Sequence, residues 1–290
     1  MTRRLPYSLA AALTLAACTD GPTNPADTPG PEFITGNFEE DFAHPWVGLI
    51  AFYDQAGDFS HRCSGSLISP TKFLTAGHCT DDGEGGVMPS ARIWFRQDAG
   101  TRFNVITEEM DPLTGYPDTC IDDPAVVLDA CVTAHTMFNY GNSGFPDTHD
   151  AGVVILDEAV TGVNYGVLAA PETLDDLANR RGQQDVTFVS SGYGISQVVP
   201  TTLSFRERLM ATSKIVNLKS ALTAGFNVQT SANPGGGRGG NCFGDSGGPL
   251  LYQGEIVGVT SFGLNRNCKG VDFAYRIDRQ EVQEWINDPS

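Results

Sequence analysis

A chain of 290 residues, 40% hydrophobic and 18% charged, is long enough to bury a sizeable core in one large or two small lobes. Its formal net charge of −17, from 35 acids against 18 Lys and Arg, argues against a nucleic-acid partner, which needs a basic footprint. No apolar run is long enough to be a transmembrane helix of the mature protein.

Residues 1–17 read as a targeting segment. Arg3 and Arg4 supply a positive start, and Leu9 to Ala17 a short apolar stretch, too short and wrongly flanked to span a membrane. The stretch ends Leu15-Ala16-Ala17-Cys18, which resembles the bacterial lipobox, whose cysteine is diacylated and becomes the new N-terminus. Lipidation at Cys18 is therefore expected. Thr19, rather than an aspartate, follows it, which by the sorting pattern of such lipoproteins points to the outer membrane. The other reading is an ordinary secretory signal with a chance cysteine; both export the protein. Residues 18–33 serve as a tether or pro-segment. Thr19 to Pro31 is rich in Pro, Thr, Asp and Gly and offers almost nothing to bury, so disorder is expected. Removal of the signal takes Arg3 and Arg4 with it and leaves the chain at about −19. Acidic runs such as Glu39-Glu40-Asp41 and Asp81-Asp82 read as solvated faces, and no calcium loop is evident.

From Ile34 onward, short apolar runs are cut by Gly, Pro, Asp and Asn. Val47–Tyr53, Gly65–Ile68, Ala91–Phe95, Val153–Leu156, Val186–Ser190, Leu209–Val216 and Glu255–Ser261 are predicted as strands. Many short strands with frequent turns indicate an all-β barrel or sandwich. Gln280 to Ile286 differs, because Val282, Trp285 and Ile286 fall at helical spacing. Seven cysteines less Cys18 leave six, an even number that suggests three disulfides in an exported chain, with the pairing open. No C-x-x-C or His/Cys cluster appears, so metal ligation is not expected.

Three stretches carry chemistry. Thr75-Ala76-Gly77-His78-Cys79 places a histidine in a small-residue turn. Thr148-His149-Asp150-Ala151-Gly152 leads an aspartate into the apolar run Val153 to Leu156. Gly244-Asp245-Ser246-Gly247-Gly248-Pro249 sets a serine between an acid and glycines. Glycine lets the backbone turn sharply and approach a ligand, so a serine there can stand exposed beside backbone N–H donors. That pairing suits acyl transfer. His44, His61 and His135 lack the Ala-Gly-His-Cys surroundings, and Asp147 and Asp157 lack the small-residue strand entry that follows Asp150.

His, Asp and Ser in this order and these surroundings resemble the trypsin/chymotrypsin family of serine proteases, from about Ile34 to the C-terminus. The resemblance implies residues 34–290 as one protease domain: two packed antiparallel six-stranded β-barrels with a closing C-terminal helix. It implies Ser246 as nucleophile, His78 as general base and Asp150 as the group that orients His78. Gly244 and Ser246 would supply the oxyanion hole from their backbone N–H groups, and Ser261, Phe262 and Gly263 the edge that pairs with extended substrate. It pairs Cys63 with Cys79 and Cys242 with Cys268, leaving Cys120 and Cys131 to close a short loop, most of which belongs to the insertion Met110 to Asp129. In the family the acid before the serine, here Asp245, pairs with an N-terminal ammonium freed by cleavage. Ile34-Thr35-Gly36-Asn37 resembles that new terminus, but Phe33 precedes it where the family has Arg or Lys.

Gly240 stands where trypsin-like members carry the pocket-base aspartate, which removes that charge. Matching Tyr275-Arg276-Ile277 to the family's Thr-Arg-Val places Asp272 on the pocket wall, where a carboxylate would meet a substrate Lys or Arg. The alternative alignment puts Gly270 there and Asp272 on the surface. Protein or peptide substrates, a monomer and no cofactor are expected. A non-catalytic binding module on the same scaffold is the alternative, weighed down by the presence of all three triad residues. An esterase of another fold fits worse, since the Gly-x-Ser-x-Gly elbow expects a following helix and a different triad order.

Overall fold

The structure, a computed structural model, describes residues 38–99, 131–141, 143–178, 186–196, 206–231, 233 and 237–290. All of them belong to the compact unit Glu32–Ser290. The targeting segment, Cys18, the tether, Ile34, Cys120 and the Met110–Asp129 insertion lie outside the described residues.

The fold is all-β. In chain order the strands are β1 (Glu39–Glu40), β2 (Val47–Tyr53), β3 (Phe59–Ser69), β4 (Lys72–Thr75), β5 (Ser90–Trp94), β6 (Val132–Ala134), β7 (Thr136–Asn139), β8 (Gly152–Ile155), β9 (Thr187–Gly192), β10 (Leu209–Asn217), β11 (Asn227–Ser231), β12 (Pro249–Tyr252), β13 (Glu255–Gly263) and β14 (Val271–Arg276). Three short helices join them: α1 (Gly77–Thr80), α2 (Asp175–Ala178) and α3 (Gln280–Asn287).

Both sheets are antiparallel and curl on themselves. One runs β6-β5-β2-β3-β4-β8-β7. Its end strands β6 and β7 are separated in sequence only by His135, so chain continuity brings the two edges together. The other runs β10-β11-β14-β13-β12-β9 and closes through a β9–β10 ladder, with β1 added on β10. The expected count of six strands per barrel is thus met by a ring of six plus β1 in one barrel. In the other it is met if β6 and β7 are taken as two halves of a bent strand.

Burial explains the long apolar runs. β2 is buried at every residue because β3 and β5 flank it in the sheet, and its sequence is near-continuously apolar rather than alternating. A large apolar core draws on both sheets: Leu49, Phe52, Leu67 and Phe73 from the first, and Val259, Tyr275 and Tyr193 from the second side. A second core, around Phe188, Val228, Leu250 and Val257, fills the closed barrel. Helix α3 docks on the shared core through Val282 and Ile286, each fully buried and worth about 1.5–3 kcal/mol. Lys72 Nζ caps its far end by donating to the carbonyls of Ile286 and Asn287, both at 2.8 Å. These packings set the 242–248 loop of the second barrel against β3 of the first.

Candidate active site

His78 sits in the single turn α1, directly after β4, and Asp150 stands two residues before β8, its ladder partner. The β4–β8 register therefore fixes their separation. Asp150 is only 4% exposed. Its Oδ1 accepts the backbone N–H of His78 at 2.8 Å, and its Oδ2 lies 2.9 Å from His78 Nδ1. The Ser261 hydroxyl donates to the same carboxylate. Burial raises the acid's pKa, but the His78 charge and these hydrogen bonds outweigh it and hold Asp150 below the ordinary carboxylate range. Burial also opposes the charge on His78. The Asp150 carboxylate more than offsets this and lifts the imidazole above its usual value.

Ser246 opens onto the same cleft as His78. The cleft, about 450 Å³, is also lined by Asn241, Cys242, Ser261, Phe262, Gly263 and Asp272. No hydrogen bond joins Ser246 to His78 among the described residues, a separation common before substrate binds. The serine's loop is two consecutive turns: Asp245 N–H donates to Cys242 O at 3.0 Å, and Gly248 N–H to Asp245 O at 2.8 Å. Gly244 (φ +97°) and Gly247 (φ +80°) take the left-handed backbone these turns demand. A Cβ on Gly247 would fall 2.1 Å from Thr75 Oγ1, so glycine also permits the loop's close approach. Among the described residues the N–H groups of Gly244 and Ser246 have no hydrogen-bond partner, which leaves two donors in one loop free for a ligand.

Asp245 itself turns inward. It is 1% exposed and accepts the N–H of Gly194 at 2.7 Å and of Cys242 at 2.9 Å. Burial pushes it up to about 6, against those two donors and the charge of Arg62. Arg62 in turn donates to Tyr193 O at 2.6 Å.

The two residues expected at the substrate pocket are placed differently with respect to the cleft. Gly240 is buried and does not line the cleft. Asp272 does, at 4% exposure, so it is not a surface residue. Its Oδ2 accepts the N–H of Asn241 at 2.6 Å, and burial, with a smaller push from Asp245, raises it to about 7. Exposed Phe243 and Leu264 form the rim. Phe262 is stacked on Phe273 with ring centres 4.4 Å apart, and Phe145 packs edge-on against it at 4.9 Å. Sequence reasoning missed Phe145; nothing but an exposed aromatic in a loop marked it.

Disulfides Cys63–Cys79 and Cys242–Cys268 are present, the first behind His78 and the second framing the cleft. Cys131 is also disulfide-bonded, to a cysteine outside the described residues. The sulfurs of Cys63 and Cys79 approach His78 closely enough for a shared metal, but their mutual bond removes the thiolates that would bind one. Among the described residues there are three further His–Asp pairs: His44–Asp41, His135–Asp157 and His149–Asp147. None of these residues lines the cleft.

A model of the family described as Trypsin matches residues 33–286. CLIP domain-containing serine protease B10 of Anopheles gambiae is 28% identical, over 93% of this chain and 74% of its own. Brachyurin of Leptuca pugilator is 28% identical over 73% of this chain and 80% of its own. Among solved structures, HL collagenase superposes with a TM-score of 0.59 at 15% identity, covering 87% of this chain and 96% of its own. Human heparin binding protein gives 0.58 at 19%, covering 88% and 98%. The two superpositions speak to the fold.

Proposed function

We propose that this chain, which belongs to the trypsin family, is an active serine endopeptidase. The observation that carries the reading is the buried Asp150 on His78 Nδ1, in a cleft shared with Ser246. A serine hydroxyl is a weak nucleophile until a base takes its proton. With Asp150 on Nδ1, His78 keeps Nε2 for that proton. Ser246 Oγ adds to the peptide carbonyl as His78 receives its proton. His78 then protonates the leaving amine, and the acyl-enzyme is hydrolysed by the same steps with water. Asp150 holds the tautomer and stabilises the imidazolium. The N–H groups of Gly244 and Ser246 receive the carbonyl oxygen as it gains charge, each donor being worth about 3–4 kcal/mol of barrier.

The substrate class we assign is a peptide with a basic side chain before the scissile bond, apolar ones being tolerated. A buried carboxylate at Asp272 with an apolar rim at Phe243 and Leu264 supports it. The chain is further proposed to be exported, to act as a monomer and to be lipid-anchored at Cys18. Those readings rest on the sequence alone, the last on Leu15-Ala16-Ala17-Cys18.

Labelling with a fluorophosphonate probe tests the activity. A single adduct mapped to Ser246, absent after Ser246→Ala, supports the reading. A folded wild-type chain that takes no label is a binding module instead. For the anchor, intact-mass analysis of protein from a Gram-negative host is decisive: an unmodified N-terminus at or beyond Cys18 rejects lipidation but not export.

A further inference from the structure

We propose that Ser64 is a positioning residue for the oxyanion hole, gripping from the first barrel the two residues of the second whose N–H groups would receive the oxyanion. The inference rests on the reading that the chain is an active protease. Ser64 lies in β3 and is fully buried. Its backbone N–H donates to the carbonyl of Ser246 at 2.8 Å. Its hydroxyl donates to the carbonyl of Gly244 at 2.8 Å. The same Oγ accepts the N–H of Tyr193 at 2.9 Å, and the Ser64 carbonyl accepts the Thr75 hydroxyl at 2.8 Å.

A serine hydroxyl has one proton to give. With Tyr193 N–H occupying a lone pair, that proton is directed to Gly244 O. Gly244 is one of the two positive-φ glycines of the loop and needs such a restraint. It has φ +97° and no side chain to limit its rotation, so its N–H is aimed by what holds its two flanking peptides: Phe243 O accepts the Ile195 N–H at 2.7 Å on one side, and Ser64 holds Gly244 O on the other. Gly194, which follows Tyr193 just past β9, donates to the buried carboxylate of Asp245, so one of the two adjacent amides bonds to Ser64 and the other directly to the loop. Losing the hydroxyl would leave Gly244 O and Tyr193 N–H without their shared partner, so the Gly244 donor would be held from the Phe243 side alone and lose its aim.

Ser66 provides the matched control. It is on the same strand and equally buried, but its hydroxyl has no hydrogen-bond partner and touches no part of the loop's hydrogen bonding. Hydrolysis of a peptide amide and affinity for the corresponding peptide aldehyde are measured for wild type, Ser64→Ala, Ser64→Gly and Ser66→Ala, with melting curves to certify folding. Ser64→Gly is included because the extended strand accepts glycine should Ser64→Ala fail to fold. The expected result is a kcat lowered roughly ten- to hundredfold in both Ser64 variants, with KM within about twofold and aldehyde binding weakened by the same factor as kcat. The pH midpoint of kcat/KM stays put, since His78 and Asp150 are untouched, and Ser66→Ala behaves as wild type. A kcat within about twofold of wild type in the folded Ser64 variants overturns the inference, as does a loss confined to KM or one shared by Ser66→Ala. Wild-type protein that hydrolyses no amide overturns the parent reading as well; active wild type beside unaffected Ser64 variants overturns this inference alone.

Discussion

Asp272 and Asn241 line the cleft side by side, the carboxylate Oδ2 accepting the Asn241 backbone N–H at 2.6 Å. That bond satisfies one oxygen only, and the pair lies in the same cleft as Ser246. A substrate ammonium or guanidinium would complete the site. A peptide library varied at the residue before the scissile bond is expected to show Lys and Arg accepted along with large apolar residues. Asp272→Asn is expected to lower kcat/KM for Lys and Arg by roughly 10–200-fold while leaving Leu within about twofold. A wild-type profile restricted to apolar residues and unchanged by the substitution would make Asp272 a purely structural acid.

The same carboxyl should make selectivity depend on pH. Burial pushes Asp272 up to about 7, so the free enzyme gains this charge only as pH rises through that value. Taking the ratio of kcat/KM for an Arg substrate over a Leu substrate cancels the titration of His78, which both share. The ratio is expected to climb through about pH 7 and to be flat in Asp272→Asn. A flat ratio in wild type would contradict the assignment.

Stability should respond in the opposite sense. The folded carboxyl of Asp272 ionises at about 7, well above an unfolded aspartate near ~3.9. The folded state therefore binds the proton more tightly, and this group's contribution is largest at low pH and declines as pH rises from about 4 to about 7. Replacing it by the neutral isostere Asn should raise Tm at pH 8 by at least about 3 °C more than at pH 5. Equal shifts at both values would mean that the acid is already compensated by a cation.

His78 and Asp150 give a further sign. Because the pair lifts the imidazole's pKa, its mutual stabilisation is present at low pH and fades as pH rises through the folded value. Activity runs the other way, since the base must be neutral. The acidic limb of kcat/KM for a Leu substrate should have its midpoint above that of a free imidazole, about 6.5. Asp150→Asn should lower kcat by about 10⁴, a magnitude carried from triad enzymes in general, and move the midpoint down. A midpoint that stays or rises would show that Asp150 does not set the imidazole's charge.

Sequence and structure agree where a signal is local. The run Val47–Tyr53 became β2 because seven adjacent residues needed burial, and Gln280–Ile286 became α3 through a single apolar stripe. The strands Asn227–Ser231 and Val271–Arg276 were not legible. They are polar or mixed, and their extended form is imposed by pairing with each other and with β13. At the site, the order His78, Asp150, Ser246 and their small-residue surroundings were visible. The choice of His78 over the other histidines and of Asp150 over Asp147 and Asp157 rested on surroundings only, and among the described His–Asp pairs His78–Asp150 is the one whose histidine lines the cleft. Gly240 is buried beside the cleft-lining Asn241, and nothing in the sequence marked its neighbour rather than the glycine as lining the cleft. Ser64 carried no signal at all, since its hydroxyl acts on a carbonyl 180 residues further along the chain.

Hydrolysis of a peptide amide by wild type and by Ser246→Ala, with matched melting curves, tests the account most directly. The expected result is measurable turnover by wild type that rises with pH, and none above background for a Ser246→Ala protein of unchanged Tm. Near-normal turnover by the folded Ser246→Ala protein, or none by folded wild type, would contradict it.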